Sequence, residues 1–184
     1  MNRFSARTIS WIVVATIFAC DFATKRWVLA NQEQFLAGID LIDGILRFTY
    51  VRNAGAAFGM MQGARWIRTT VSAAAVIGLS FLISRSATVG LKRVASTMIL
   101  AGAAGNLVDR VLYDGLVVDF IEMGFRGHTF PVYNIADIGV SVGAAVLVLS
   151  LLIERETADG AETAATLAVA PEHGAEGDPD GAND

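Results

Sequence analysis

The sequence predicts an α-helical integral membrane protein with four transmembrane helices and a small β element between helices 1 and 2. Three observations predict this fold class. Of the 184 residues, 54% are hydrophobic, and the mean hydropathy of +0.51 is high for a soluble domain. Four apolar segments have lengths suited to a bilayer. A strand-like stretch follows the first of them.

The four apolar segments are the predicted membrane helices. The first runs from Ile9 to Cys20 and extends towards Leu29, and the others are Trp66–Ile83, Val94–Leu112 and Asn134–Ile153. A helix needs about 20 residues to cross a hydrocarbon layer of about 30 Å. Because a backbone inside lipid has to satisfy its own hydrogen bonds, these segments are expected to be helical. The first segment fits only if its polar second half reaches the membrane interface.

The stretch Gly44–Asn53 is predicted to form the β element, folded over the membrane surface. Its β-branched and aromatic residues alternate in part with polar ones, as in a strand with one exposed face. The next segment, Asn53–Gly59, consists mainly of glycines and other small residues. This composition is typical of a turn or of a close backbone approach.

Charge divides the chain into two predicted parts. Residues 154–184 carry nine acidic side chains and one basic one, a net charge of −8, whereas residues 1–153 carry 13 basic and nine acidic ones, a net charge of +4. We therefore expect a membrane domain over residues 1–155 and an acidic, disordered tail over residues 156–184. The weakly basic body suits contact with membrane phospholipid, and no basic cluster points to nucleic acid.

Cysteine and histidine are too scarce for a disulfide or a histidine-based metal site. The chain has one cysteine, two histidines and no H-E-x-x-H motif, so we expect no metal and no other cofactor. Cys20 follows basic and apolar residues, as the lipidated cysteine of a lipoprotein signal does. The other interpretation is a small apolar residue within a helix. Three further spans, which would make a lipid anchor redundant, favour the second interpretation.

An even number of spans places both termini on the same side of the membrane. The short link Ser84–Arg93 contains three basic residues in ten and lies on that side. By the positive-inside rule this side is expected to be cytoplasmic. The β element and the stretch 113–133 then lie at the extracytoplasmic face.

Two aspartates stand next to apolar stretches near that face. Asp137 is the only Asp, Glu, Lys or Arg between Arg126 and Glu154. The 16 residues that follow it to Ile153 span about 24 Å as a helix, which places Asp137 near the outer end of the fourth helix. Asp119 follows the apolar residues 116–118. An ionisable residue at membrane depth is a candidate functional residue, because its burial costs free energy.

Two carboxyl groups in a partly dry site cannot both ionise easily, so they share a proton. One can then activate water as a base while the other protonates a carbonyl or leaving group. This is the chemistry of an aspartic protease. Simpler interpretations are that Asp137 caps its helix or pairs with Arg110, and that Asp119 is a surface acid. The alternative function is a small transport or proton-relay protein, which would carry acids along one helix face.

Five short motifs connect these residues to a known family. They are D-F-A-T-K at 21–25, N-A-G-A-A-F-G at 53–59, G-A-A-G-N-L-V-D-R at 102–110, V-V-D-F-I at 117–121 and Y-N-I-A-D at 133–137. In this order, on four spans, they resemble the lipoprotein signal peptidase family, signal peptidase II. Ala54 stands where the family has threonine, and Ile138 where a small residue is common. Neither departure changes a carboxylate.

The resemblance implies a membrane aspartic endopeptidase that removes signal peptides from diacylglyceryl-modified prolipoproteins by cutting before the lipidated cysteine. Asp119 and Asp137 match the catalytic pair of the family. The resemblance also implies a bacterial cytoplasmic (inner) membrane, cytoplasmic termini, an active site near the extracytoplasmic face, and inhibition by the cyclic peptide globomycin. We expect a monomer.

Four further motif residues are predicted to contact the substrate: Asn53, Asn106, Arg110 and Asn134. A buried asparagine can hold a peptide backbone through its donor and its acceptor, or it can hydrogen-bond between helices. Arginine can meet a lipid phosphate or a substrate carbonyl, and Arg110 can alternatively pair with Asp109 or Asp114. Asn134 can also hydrogen-bond the carboxyl pair or cap the fourth helix.

Six other motif residues are predicted to support the structure: Asp21, Lys25, Gly102, Gly105, Asp109 and Ala136. Asp21 and Lys25 are four positions apart and are expected to pair on a helix surface. The two glycines are expected to allow close packing between helices.

Overall fold

A computed structural model describes residues 3–54, 65–85 and 90–169, and the side chains of Ser5 to Gly160 within these ranges. The elements in chain order are α1 (Arg3–Ala30), α2 (Gln32–Ala37), β1 (Ile39–Ile42), β2 (Leu46–Asn53), α3 (Arg65–Ser84), α4 (Gly90–Leu112), β3 (Val117–Phe125), β4 (His128–Thr129) and α5 (Ile135–Val169). The chain divides into two compact units, Met1–Ser150 and Leu151–Asp184. All the predicted site residues belong to the first unit.

Helix α1 is longer than the first apolar segment and includes its polar second half. Asp21 and Lys25 are buried there, with 0% and 1% of their surface exposed. This half of the helix therefore turns Asp21 and Lys25 towards the protein interior. Cys20 lies within the uninterrupted helix and is exposed, in line with its interpretation as an ordinary helix residue.

Three helices in the described part of the chain are long and apolar enough to cross a membrane. They are Ser5–Ala30 of α1, all of α3, and Ile135–Gly160 of α5. Helix α4, the third predicted span, is not among them. Its buried residues are mostly small or polar, including Ser96, Thr97, Asn106 and Asp109. Because α4 packs against α1 and α3, its composition follows from contact with other helices rather than with lipid.

Glycines bring α4 and α5 close together. A Cβ atom added to Gly102 would lie 2.2 Å from the Ala136 carbonyl oxygen, and one added to Gly143 would lie 2.9 Å from the Ala95 carbonyl oxygen. At Gly105 an added Cβ would lie 2.4 Å from Asp21 Oδ2. Small residues at such positions let helix backbones approach each other directly.

The strands form one antiparallel arrangement in the order β1-β2-β3-β4. The β structure predicted between the first two membrane helices is only part of this sheet. Strands β3 and β4 come from the stretch between α4 and α5, and β3 pairs with β2 so that Val51 lies opposite Asp119. The apolar, β-branched composition of residues 117–121 favours a strand. Asp119 is therefore on a strand and not on a surface loop.

A small hydrophobic core fixes the sheet to the end of α1. Val28, Phe35, Tyr50, Val118 and Phe120 are buried together. These side chains come from α1, α2, β2 and β3, so the strand that carries Asp119 has a defined position relative to the buried charges of α1. Burial of a large apolar side chain contributes about 1.5–3 kcal/mol.

Two sequence expectations concern the ends of the described ranges. Residues 156–169, which the composition predicts to be disordered, continue α5 as a helix. Alanine, glutamate and leucine are strong helix formers, which explains why a segment without an apolar period is helical. The predicted turn at Asn53–Gly59 lies outside the described residues from Gly55 onwards.

The close approach of α4 and α5 predicts that Gly102→Ala destabilises the protein. The new methyl group would meet the Ala136 carbonyl oxygen, and overpacking of this kind costs about 1–3 kcal/mol. We expect the midpoint of thermal unfolding in detergent to fall by at least about 2 °C.

Gly78→Ala is the matched control for this substitution. Gly78 is also within a membrane helix, α3, and an added Cβ there meets nothing within 4 Å. The control should be as stable as the natural chain or slightly more stable, because alanine favours a helix. Equal unfolding temperatures of the two variants would contradict the close packing at Gly102.

Candidate active site

The predicted site residues meet where β2, β3 and the beginning of α5 come together with α1 and α4. Asp119 lies on β3 and is 1% exposed. Asp137 lies in the first turn of α5 and is partly exposed. The buried residues Asn106 and Asn134 are bonded to these carboxyl groups.

Asn134 and Asp137 form a reciprocal cap at the beginning of α5. The Asp137 backbone N–H donates to Asn134 Oδ1 at 2.9 Å, and the Asn134 backbone N–H donates to Asp137 Oδ2 at 3.2 Å. Such a pair satisfies two backbone donors that the helix itself leaves unpaired. The N-terminal end of the helix dipole also favours a negative charge on Asp137. The cap therefore fixes the orientation of this carboxylate.

The same asparagine also holds Asp119. Asn134 Nδ2 donates to Asp119 Oδ1 at 2.6 Å, and it lies 3.1 Å from Asn106 Oδ1. Asn134 has no exposed surface. Because its oxygen faces the helix end and its nitrogen faces Asp119, this one side chain connects the two aspartates. Both roles that the sequence suggested for Asn134, hydrogen bonding to the pair and capping, occur together.

Asn106 supplies a second connection from α4. Its Nδ2 donates to Asp137 Oδ1 at 2.8 Å, and its Oδ1 accepts hydrogen bonds from Asn134 and from Lys25 Nζ. The Lys25 contact measures 2.9 Å. Each oxygen of Asp137 thus accepts one hydrogen bond, from Asn106 and from the Asn134 backbone. These two donors fix the position of the carboxyl group.

Asp119 differs from Asp137 in its surroundings. Its Oδ2 accepts a 2.7 Å hydrogen bond from Asn53 Nδ2, at the end of β2. Burial raises the pKa of Asp119 to about 7, and the nearby Asp137 charge raises it too, while the Asn53 and Asn134 hydrogen bonds oppose the rise. At neutral pH the Asp119 carboxyl group therefore still holds a proton for much of the time.

The expected surface pair of Asp21 and Lys25 is in fact part of a buried ion cluster. Lys25 Nζ lies 2.8 Å from Asp21 Oδ2 and 3.1 Å from Asp109 Oδ2. Arg26 adds a second cation, 3.3 Å from Asp109 Oδ1. Mutual pairing offsets the cost of removing these charges from water.

The two carboxylates of this cluster also hold the backbone of neighbouring elements. Asp109 Oδ2 accepts a 3.0 Å hydrogen bond from the Val118 N–H, next to Asp119. Asp21 Oδ1 accepts a 2.9 Å hydrogen bond from the Ala136 N–H, next to Asp137. Each aspartate of the site therefore has a sequence neighbour that is tied to the ion cluster.

Among the described residues, Arg110 makes none of the three ion pairs that the sequence suggested, with Asp109, Asp114 or Asp137. Asp109 pairs with Lys25 and Arg26, and Asp114 pairs with Arg65. Within the described residues, no hydrogen bond or ion pair is found for the Arg110 guanidinium group, and its Nε is buried without a partner. The group is close enough to Asp137 and Asp119 to interact with their charges.

The extent of the network around Lys25 was not predicted from the sequence. Lys25 was expected on a helix surface, whereas its ammonium group reaches Asn106, 81 positions further along the chain. The sequence did contain a signal for this burial: Asp21 and Lys25 are opposite charges among apolar residues of a membrane helix, and such charges usually face the protein interior. Only the fold shows which distant residues share that face.

Comparison with known proteins identifies the family. The model for the family described as Signal peptidase (SPase) II matches residues 13–153. A lipoprotein signal peptidase of Symbiobacterium thermophilum is 37% identical over 147 residues, which cover 79% of this chain and 96% of that protein. A lipoprotein signal peptidase of Shewanella loihica is 39% identical over 163 residues, covering 84% of this chain and 91% of the relative.

Two solved structures have a similar fold. A bacterial membrane enzyme determined by the in meso method at 2.3 Å resolution superposes with a TM-score of 0.70 and 29% identity, covering 82% of this chain and 91% of that one. A second bacterial membrane enzyme, at 1.9 Å resolution, has a TM-score of 0.69 and 31% identity, covering 79% and 93%.

Proposed function

The chain belongs to the signal peptidase II family of aspartic peptidases, and on that premise we propose that Asp119 and Asp137 are its catalytic pair. The observation that carries the proposal is the double role of Asn134, which donates to Asp119 and forms a reciprocal cap with Asp137. Two carboxyl groups linked in this way, in a largely buried site, can share one proton. Membership of a peptidase family leaves no ground for the transport or proton-relay alternative.

The two carboxyl groups have different environments, which supports different roles for them. Asp119 is buried and keeps its proton to about neutral pH. Asp137 lies at a helix N-terminus and accepts two hydrogen bonds, an arrangement that suits the base of the pair. Asp137 removes a proton from water as the water oxygen attacks the scissile carbonyl carbon. Asp119 donates its proton to the carbonyl oxygen.

The substrates are prolipoproteins that carry a diacylglyceryl group, with cleavage just before the lipidated cysteine. The names of the relatives support this substrate class. Arg110 is the candidate for substrate positioning, since its guanidinium group lies near the pair and has donors available for a carbonyl or phosphate oxygen. Contact with phospholipid, a monomeric state and inhibition by globomycin are further parts of this proposal.

Helix α4 is proposed to cross the membrane as the fourth span, enclosed by apolar helices. Its 23 residues are enough to cross a bilayer, and contacts with α1 and α3 explain its low apolar content. Four spans place the termini together on the cytoplasmic side and the carboxyl pair near the extracytoplasmic face. The concentration of basic residues between α3 and α4 supports this orientation.

Single substitutions of the pair test the catalytic proposal. Asp119→Asn and Asp137→Asn each remove a proton-transfer group while keeping the size of the side chain. We expect each to lower kcat for cleavage of a lipidated prolipoprotein by at least about 1000-fold. The measurement uses purified protein and follows release of the signal peptide.

Asp40→Asn is the control for this experiment. Asp40 is an exposed carboxylate on β1, paired loosely with Arg47 at 3.8 Å, and its replacement should leave kcat nearly unchanged. All three variants should elute and unfold like the natural chain. Substantial cleavage by a folded Asp119→Asn or Asp137→Asn protein would rule out the assigned pair.

The orientation can be tested with single cysteines in a Cys20→Ala background. His128→Cys, in the β3–β4 hairpin, should react with a membrane-impermeant maleimide in intact spheroplasts. Ser84→Cys, at the end of α3, should react only after the membrane is opened. Both residues are exposed, so burial does not limit either reaction. The reverse pattern would contradict the proposed orientation.

A further inference from the structure

The ammonium group of Lys25 is enclosed inside the protein. The side chain is 1% exposed. Its ammonium group pairs with two carboxylate oxygens, Asp21 Oδ2 at 2.8 Å and Asp109 Oδ2 at 3.1 Å, and donates a 2.9 Å hydrogen bond to Asn106 Oδ1. Two of these contacts join opposite charges. The third is directed at the amide that holds Asp137.

The contact with Lys25 determines which way the Asn106 amide points. Asn106 Oδ1 accepts hydrogen bonds from Lys25 and from Asn134, so both of its lone pairs are engaged. An amide turned by 180° would place its NH₂ group against an ammonium group, which has no acceptor. The Asn106 Nδ2 must therefore face Asp137, to which it donates at 2.8 Å.

We propose that Lys25 is a positioning residue of the catalytic pair: through Asn106 it fixes the donor that orients the Asp137 carboxyl group. The inference rests on the proposed function of Asp119 and Asp137. The positive charge also withdraws electron density from the Asn106 amide, which strengthens the hydrogen bond that Nδ2 donates to the carboxylate. Lys25 thus acts on Asp137 across one intervening side chain, without touching the substrate.

Ion pairing alone does not explain this contact. Asp109 already has a second cation, since Arg26 lies 3.3 Å from its other oxygen. Asp21 is bonded to the Ala136 N–H as well. A purely structural Lys25 would need only these carboxylates, whereas the observed ammonium group also donates a hydrogen bond to Asn106.

A double-mutant cycle between Lys25 and Asn106 tests the proposal. Lys25→Met alone would leave the charge of Asp21 unbalanced in the interior, so the cycle is built on Asp21→Asn. That background removes one negative charge, retains an oxygen for the Ala136 N–H, and leaves Asp109 paired with Arg26. The four proteins are the background, background with Lys25→Met, background with Asn106→Ala, and background with both.

The cycle is read from kcat and KM for a lipidated prolipoprotein. With Asn106 present, Lys25→Met should lower kcat by about 100-fold and change KM by less than about threefold. With Asn106→Ala, the same substitution should change kcat by less than about threefold, because the residue through which Lys25 acts is gone. Equal losses of kcat with and without the Asn106 side chain, or a change confined to KM, would overturn the proposal.

Lys25→Gln on the Asp21→Asn background is a second test, because it replaces the ammonium group with a neutral hydrogen-bond donor. Glutamine can still donate a hydrogen bond to Asn106 Oδ1, so it should retain at least about tenfold more kcat than Lys25→Met in the same chain. Equal kcat values would contradict the positioning role.

The outcome is distinguishable from failure of the proposed catalytic pair. If Asp119→Asn and Asp137→Asn remain active, the pair itself is wrong. If both are inactive while Lys25→Met lowers kcat equally with and without Asn106, the catalytic pair is retained and the positioning role of Lys25 is rejected.

Discussion

Two carboxyl groups held together by buried amides are the constraint on which the rest of this structure depends. Asn134 reaches both of them, and Asn106 reaches Asp137 from a different helix. Without these donors, two acidic groups in a partly dry site would repel each other, and burial would disfavour the charge on either. The amides allow the two carboxyl groups to lie close together while they share one proton.

The fold can be understood as the means of keeping these amides in place. Gly102 and Gly105 let α4 approach α5 and α1 so closely that an asparagine side chain spans the gap. A strand, and not a flexible loop, carries Asp119, and the core around Val118 and Phe120 fixes that strand to α1. The buried ions of α1 and α4 then hold the backbone beside each aspartate.

The sequence was sufficient for some of these features because they depend on local pattern. Apolar length predicted the membrane helices, and the spacing of Asn134 and Asp137 predicted the cap. Contacts between distant segments were not predictable in this way. The pairing of β3 with β2 and the reach of Lys25 to Asn106 depend on how the elements pack. Helix α4 is a second case. Its buried small and polar residues lower its mean hydropathy because they contact other helices, and hydropathy alone does not reveal such contacts.

The central claim is that the pair holds one proton and that Asp119 carries it at pH values below about 7. The infrared C=O stretching band of a protonated carboxyl group measures this directly. The band should be present in the natural chain at mildly acidic pH, disappear as the pH rises through about 7, and be absent in Asp119→Asn but retained in Asp137→Asn. A band that persists in Asp119→Asn and is lost in Asp137→Asn would contradict the claim.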